Sequence, residues 1–150
     1  MPELQEALLS AWLNLSANLW NERIVQNLSY NESFVCNLLS QQQRRQPEEP
    51  WLTARELCRR TKLLKSQMNK TLNDLEDKGY ILRQRFDSDR RLIYVSLTPE
   101  GLTQYLREHE HILLVVSAVT QRLGAEKSAQ LAALMDETAG IMEKLEGNND

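Results

Sequence analysis

One stretch of the chain carries polar side chains that would share one face of a helix. Met68, Leu72 and Leu75 recur at i, i+4 and i+7, which predicts a helix over 65–78 with an apolar buried face. The opposite face then presents amide, hydroxyl and ammonium groups without a carboxylate among them: Lys65, Ser66, Gln67, Asn69, Lys70 and Asn73. Amides can pair with adenine edges and lysine can reach guanine or phosphate, so this face could read a DNA major groove. An ordinary solvated face is the alternative.

A second candidate group follows in the stretch RQRFDSDRRLIYVSL. Its alternating polarity predicts a β-hairpin with strands over 80–86 and 92–97, and places Arg90 and Arg91 in the turn between them. Arginines at a hairpin tip add nothing to a core and little as surface ion pairs. A guanidinium can instead enter a minor groove, where an aspartate such as Asp89 could fix its rotamer. The alternative is a simple turn with solvated arginines.

The surrounding sequence predicts a scaffold for these two groups. The tetrapeptides Ser29 to Glu32 and Thr53 to Glu56 have the form of capping boxes, which predicts a helix over 30–43 and a short helix around Leu57. The proline-containing loop RRQPEEP separates them, and a short strand is expected at 51–52. Two short helices followed by a strand pair is the order of a winged helix-turn-helix.

Long helices are expected on both sides of this segment. Residues 3–26 carry apolar positions three and four apart, which predicts an amphipathic helix. Thr98 and Pro99 form a helix start whose apolar pattern runs on to Gly124, and a last helix is expected over 126–145. Because a monomer would struggle to cover so much apolar surface on a terminal helix, a partner chain is expected.

Charge is unevenly distributed along the 150 residues. The net charge is −3, which taken alone argues against nucleic acid. Residues 51–99, however, contain eleven Lys/Arg and six Asp/Glu, a local charge of +5, whereas the remainder carries −8. A basic middle between acidic ends is the electrostatic pattern expected of a protein that binds a polyanion.

Several functional classes are disfavoured by the sequence. No apolar run reaches the roughly 20 residues needed to span a bilayer, and the acidic N-terminus does not resemble a secretory signal, so a cytoplasmic protein is expected. There is no glycine-rich phosphate loop, nucleophile elbow or HExxH motif, so no enzyme and no cofactor are expected.

Thiols and histidines leave a sensor role open. Cys36 and Cys58 are most simply structural thiols, since neither belongs to a CxxC pair. His109 and His111 are spaced i, i+2, so their rings would point to different faces and no metal site is predicted. A metal or redox sensor using Cys36, Cys58 or His109 remains an alternative.

The run LLKSQMNKTLNDLEDKGYILRQRFDSDRRLIYVSLTPEG resembles the winged-helix signature of the MarR family of bacterial transcription regulators. The resemblance rests on the LE and KG pairs, the DxDRR wing and the LTxxG exit, and the flanking helices agree in order. It implies a mostly α fold with a small β-hairpin wing, in which 1–28 and 102–150 form dimerisation helices and 29–101 forms the DNA-binding lobe.

The same resemblance assigns roles to particular residues. Asn69 and Lys70 occupy the positions of the family's threonine and arginine, and the wing comprises Asp89, Arg90 and Arg91. The family usually has a serine N-cap where this chain has Leu64, so a poorly capped recognition helix is expected.

The expected function is a homodimeric, ligand-responsive repressor that binds double-stranded DNA at a pseudo-palindromic operator. Family members are often released from DNA by small aromatic effectors, and four side chains could line such a pocket, although core or interface packing is the simpler interpretation: Trp12, Trp20, Tyr30 and Phe34. A winged-helix module that binds protein instead of DNA is the alternative function, consistent with the acidic composition.

Overall fold

The computed structural model describes residues 1–19, 27–86 and 89–147, and of residues 89 and 90 it describes the backbone alone. The described elements are six helices and three strands, namely α1 Pro2–Leu19, α2 Tyr30–Arg45, β1 Trp51–Thr53, α3 Ala54–Thr61, α4 Lys65–Asp77, β2 Ile81–Phe86, β3 Asp89–Leu97, α5 Pro99–Leu123 and α6 Ala125–Gly147. The chain divides into two compact units, Met1–His111 and Ile112–Asp150. None of the described helices is long and apolar enough to cross a membrane.

The core of the first unit is built from the faces that the apolar spacing predicted. Met68, Leu72 and Leu75 of α4 are buried, and α2 contributes a buried face in which Phe34 is only half-buried. The apolar residues of this core are Leu28, Val35, Cys36, Leu38, Leu39, Leu52, Leu57, Met68, Leu72, Leu75, Ile81, Val95 and Tyr105. The mostly α fold with a small β-sheet is thereby confirmed.

The sheet is antiparallel with strand order β1-β3-β2, so the predicted short strand before α3 is confirmed. The predicted hairpin turn was too long. β3 begins at Asp89, which pairs with Phe86, so the backbone of Arg90 and Arg91 belongs to a strand. The reason is that ladder pairing continues past a register shift between Gln84 and Phe86, where alternation alone gave no signal.

The end of α4 is fastened to the start of α5. Gly79 adopts a φ of 77°, and the N–H of Tyr80 donates to the carbonyl of Leu75. This type of helix ending favours glycine at the residue with positive φ. Thr98 caps α5 by accepting from the N–H of Gly101 at 3.0 Å, while its hydroxyl donates to the carbonyl of Gly79 at 2.7 Å. This junction fixes the C-terminal end of α4 against α5.

Apolar side chains on the first and the last two helices are exposed in the single chain. No residue of α1 is buried, and the predicted helix over 3–26 is described only as far as Leu19. The predicted stripe residues Leu4 and Leu8 are 60% and 52% exposed. On α5 and α6 the exposed apolar residues include Leu106, Leu113, Leu114, Val116, Val119, Leu131, Leu134, Ile141 and Leu145.

Candidate nucleic-acid interface

Helix α4 presents the polar face that its sequence predicts. Its inward side is formed by Met68, Thr71, Leu72 and Leu75, so the remaining positions point away from the core. All six candidate residues on α4 are exposed: Lys65, Ser66, Gln67, Asn69, Lys70 and Asn73. The helix therefore offers a row of hydrogen-bonding groups to the outside of the lobe.

The start of α4 has half of a capping box. Leu64 has the extended N-cap conformation, with φ −65° and ψ 153°, but its hydrocarbon side chain has no oxygen to accept from the first turn. Gln67 supplies the other half, since its Oε1 accepts from the N–H of Leu64 at 3.0 Å. One predicted base-reading side chain is thus engaged at the helix start.

Two further α4 side chains are held by neighbours. Lys70 Nζ lies 2.8 Å from Asp74 Oδ2, and the hydrogen bond from the ammonium to this carboxylate raises the pKa of Lys70. Asn73 Oδ1 accepts from the Arg83 guanidinium of β2 at 2.7 Å. The same guanidinium donates to both carboxylate oxygens of Glu76, at 2.9 and 3.0 Å, which lowers the pKa of Glu76.

A cavity of about 500 Å³ lies between α3, α4 and the β2–β3 hairpin. Lys65 and Asn69 line it from α4, and Arg91 lines it from β3. Two more arginines, Arg55 and Arg85, line the same cavity, so its described lining includes four cationic side chains and no carboxylate. The remaining wall is formed by Thr53, Ala54, Cys58, Met68, Leu92 and Ile93.

This cavity shows which of the candidate residues are brought together. Lys65, Asn69 and Arg91 meet there, whereas Ser66, Gln67, Lys70 and Asn73 lie along α4 outside its lining. The side chains of Asp89 and Arg90 lie outside the described residues. A concave surface bordered by cations from a helix and a hairpin is suited to a polyanion.

Sequence reasoning missed Arg55 and Arg85, which line this cavity, and Arg83, which contacts Asn73 and Glu76 of α4 outside its lining. A signal for two of them was available in the sequence, because residues spaced i, i+2 on a strand, as Arg83 and Arg85 are, are expected on the same face of a sheet. Nothing local to Arg55 distinguishes it from the other arginines of α3.

Of the four aromatic residues predicted to line an effector pocket, three lie within the described ranges. Trp12 lies on α1 and is 41% exposed, and the Tyr30 and Phe34 rings lie 6.2 Å apart on α2. Trp20 lies outside the described residues. A third tryptophan, at position 51, packs instead against Phe86 and Tyr94 on the outer face of the sheet, with ring centroids 5.6 and 6.2 Å away.

The candidate sensor residues have structural surroundings. Burial, together with the charge of Glu32, raises the pKa of the Cys36 thiol to about 12, which disfavours the reactive thiolate. Cys58 lines the cationic cavity, and the ring of His109 packs against Tyr105. Across the described ranges, no three His, Cys, Asp or Glu residues come close enough to hold a metal ion.

Comparison with known proteins agrees with this geometry. A family model described as "MarR family" matches residues 44–92. The homoprotocatechuate degradative operon repressor of Escherichia coli is 30% identical over 107 residues, which span 69% of this chain and 72% of the repressor.

Two solved structures have the same fold. The transcriptional regulator PA4135 is 25% identical with a TM-score of 0.73, covering 92% of this chain and 96% of that one. NadR in complex with 4-hydroxyphenylacetate is 24% identical with a TM-score of 0.66, covering 91% and 92%. The extended identity to the repressor, the family match across the helix-turn-helix and the arrangement of α4 and hairpin together show that this chain belongs to the MarR family of DNA-binding transcription regulators.

Proposed function

We propose that the protein is a homodimeric repressor that binds a pseudo-palindromic operator in the cytoplasm and leaves it when a small aromatic acid binds. The observation that carries the DNA-binding part is the shared cavity, to which α4 contributes Lys65 and Asn69 and the hairpin contributes Arg91. Binding, and not catalysis, accounts for this set of side chains.

The charges along α4 favour entry of its N-terminal half into a major groove. Lys65 and Asn69 lie in this half, whereas Asp74, Glu76 and Asp77 follow in the second half. Because carboxylates repel phosphate, the N-terminal half leads into the groove, as in other helix-turn-helix proteins. The hairpin then lies beside the adjacent minor groove, where Arg90 and Arg91 contribute charge.

Dimerisation through 1–28 and 102–150 accounts for the exposed apolar helices. Leu8 of α1 and Leu113 of α5 are each at least half exposed in the single chain. Monomeric soluble proteins rarely leave such extended apolar stripes in water. Two recognition helices in one dimer would contact half-sites about one DNA turn apart, roughly 10 base pairs.

An effector site is offered by a second cavity, of about 480 Å³, between α2 and α5. Tyr105 is buried there, and its hydroxyl accepts from Asn37 Nδ2 at 2.6 Å. The same hydroxyl lies 3.4 Å from His109 Nδ1, which is longer than an ordinary hydrogen bond. Burial raises the pKa of Tyr105, so the phenol keeps the proton that it could donate to a ligand.

The lining of this cavity matches a small aromatic acid. Arg44 supplies a cation for a carboxylate, and Leu102 and Leu106 supply apolar surface for a ring. Asn37, Gln41 and Gln43 add amide groups that can bond a hydroxyl. The name of the Escherichia coli relative points to the degradation of such an acid, which supports this chemical class. The aromatic set of Trp12, Trp20, Tyr30 and Phe34 remains a competing location.

Selection of bound DNA from a random pool tests the repressor proposal. We expect a two-fold-symmetric motif whose affinity falls steeply with salt, because phosphate contacts release counterions. A protein-interaction module would instead show no selected motif and no steep salt dependence.

The effector site is tested by calorimetric titration with 4-hydroxyphenylacetate. We expect Arg44→Gln and Tyr105→Phe to weaken acid binding about tenfold or more, and the neighbouring Arg45→Gln to bind as the parent does. Loss of binding in Phe34→Ala but not in Arg44→Gln would place the effector at the aromatic set instead.

A further inference from the structure

Lys78 joins the end of α4 to the segment 27–32, which leads into α2 and includes its first turn. It is the C-cap residue of α4, and its Nζ lies 2.7 Å from Glu32 Oε2. The same ammonium donates to the carbonyl of Asn27 at 3.3 Å. Glu32 is buried, and its carboxylate also accepts from the N–H of Ser29 at 2.9 Å. Lys78 therefore pairs with a side chain that the capping box of α2 already holds in place.

Glu108 joins the same segment to α5. Its Oε1 accepts from the backbone N–H groups of Asn27 and Leu28, the latter at 3.1 Å. The Glu108 side chain is only 5% exposed, and no described residue hydrogen-bonds its Oε2. Leu28 is itself fully buried in the core, which anchors the backbone that Glu108 holds.

These contacts close a ring of three connections. Lys78 connects α4 to the 27–32 segment, and Glu108 connects this segment to α5. At the other side of the ring, the Thr98 hydroxyl connects the start of α5 back to Gly79 at the end of α4. The C-terminal end of α4 is therefore connected to α5 at two positions, directly at Thr98 and through the 27–32 segment at Glu108.

We propose that Lys78 and Glu108 are positioning residues that set the placement of α4 relative to α5, and with it the half-site spacing that the dimer accepts. The inference rests on the proposed repressor function, since it concerns how two recognition helices are held apart. Burying two carboxylates is a costly way to stabilise a fold, and apolar residues of similar size are often as good or better. A directional pair of contacts instead fixes one geometry, which is what operator recognition requires.

Lys78 would have a different role if it contacted phosphate. Its ammonium is already bonded to one carboxylate and one carbonyl, and it lies at the end of α4 opposite to Lys65. Replacing a lysine that contacts phosphate would weaken binding to every DNA sequence and reduce the salt slope by about 1. Replacing a positioning lysine would change which spacing is preferred and leave the salt slope as it is.

The test compares Lys78→Met and Glu108→Gln with the parent on the selected operator and on versions with one base pair added to or removed from the spacer. We expect both variants to lose at least tenfold of the parent's preference for its best spacing, with an unchanged salt slope. Arg45→Met, on α2, removes an exposed cation that lies outside the ring, both cavities and the proposed dimerisation helices, and is the matched control. Glu32→Gln breaks the same ion pair from its other side and replaces Lys78→Met if that variant does not fold.

Three results would overturn the inference. A uniform loss over all spacings with a smaller salt slope would make Lys78 a phosphate contact. Parent-like spacing preference in all variants would show that the ring has no influence on α4. If the parent selects no symmetric DNA motif, the repressor proposal itself fails. If the parent has a sharp preference for one half-site spacing and the variants keep it, only the positioning role is removed.

Discussion

The Arg83 guanidinium of β2 donates two hydrogen bonds to the Glu76 carboxylate of α4, at 2.9 and 3.0 Å. The same guanidinium donates to Asn73 Oδ1 at 2.7 Å, so one side chain of the hairpin holds two positions on the outer face of the recognition helix. Planar guanidinium and carboxylate groups match each other in this bidentate geometry. The hairpin and α4 are thereby aligned with each other within the free protein, which suits the role proposed for them in DNA binding.

Arg83→Met should weaken operator binding more than it weakens the fold. Methionine retains the aliphatic contacts but cannot hold Glu76 and Asn73, so we expect roughly tenfold weaker affinity, as for the loss of one or two charged hydrogen bonds. Titrating the selected operator at fixed salt measures this effect. Arg45→Met, at an exposed arginine of α2, should bind with parent affinity. An equal loss of affinity in both variants would show that the effect comes from the change in net charge alone.

The Arg83 to Glu76 pair should also give a pH-dependent contribution to stability. The folded pKa of Glu76 is lowered from 4.5 by the hydrogen bond from Arg83, so the contribution is present above about 4.5 and is lost as pH falls through the folded pKa. Since the pair is partly exposed, we expect at most about 1 kcal/mol at pH 7. Denaturant unfolding of the parent and Glu76→Gln should show a difference at pH 7 that shrinks as the pH falls below 4.5. A difference that stays constant as the pH is lowered further would contradict this cause.

Gly101→Ala should destabilise the lobe severely. A Cβ at this position would come within 2.0 Å of the carbonyl oxygen of Tyr80, a backbone atom fixed by its hydrogen bond from the N–H of Thr98. We expect a loss of at least about 2 kcal/mol in the free energy of unfolding, because neither backbone segment can shift freely. Gly140→Ala is the matched control, since nothing lies within 4 Å of its added Cβ, and it should be neutral or slightly stabilising.

Local sequence patterns predicted the elements that position the site. The spacing of Met68, Leu72 and Leu75 identified both α4 and its outward face. Ser29 forms the expected capping box with Glu32. The Thr53 hydroxyl likewise accepts from the N–H of Glu56, but the Glu56 carboxylate turns to an arginine of α3 instead of closing the box. These patterns were predictable because each links residues that are only three or four positions apart in the sequence.

Contacts between distant parts of the chain were not predictable in the same way. The hydrogen bonds from Arg83 to α4 depend on how β2 packs against that helix. The ion pair between Lys78 and Glu32 joins residues that are 46 positions apart. No period in the sequence encodes either contact. The strand character of Arg91 was missed for a related reason, because ladder pairing with the partner strand outweighed the turn-forming aspartates.

Leu64→Ser should stabilise α4. The Leu64 backbone already has N-cap geometry, and its side chain is 68% exposed, so little buried apolar surface is lost. A serine hydroxyl could accept from the N–H of Gln67 and complete the capping box, a gain of about 0.5–1 kcal/mol in the free energy of unfolding. Leu64→Ala is the control, because it removes the same leucine without adding an acceptor. Equal stability of the two variants would show that the cap is not limiting.

Leu113→Glu should separate the proposed dimer. Leu113 is 50% exposed in the single chain, so a glutamate there costs a monomer little. In a dimer that covers this side of α5, the same carboxylate would be buried without a partner, which is strongly unfavourable. Light scattering after size-exclusion chromatography should show a parent of twice the chain mass and a variant shifted toward monomer. Leu82→Glu, at an equally exposed leucine of β2 outside the proposed dimerisation helices, should stay dimeric. A parent that elutes as a monomer at every concentration would refute the dimer itself.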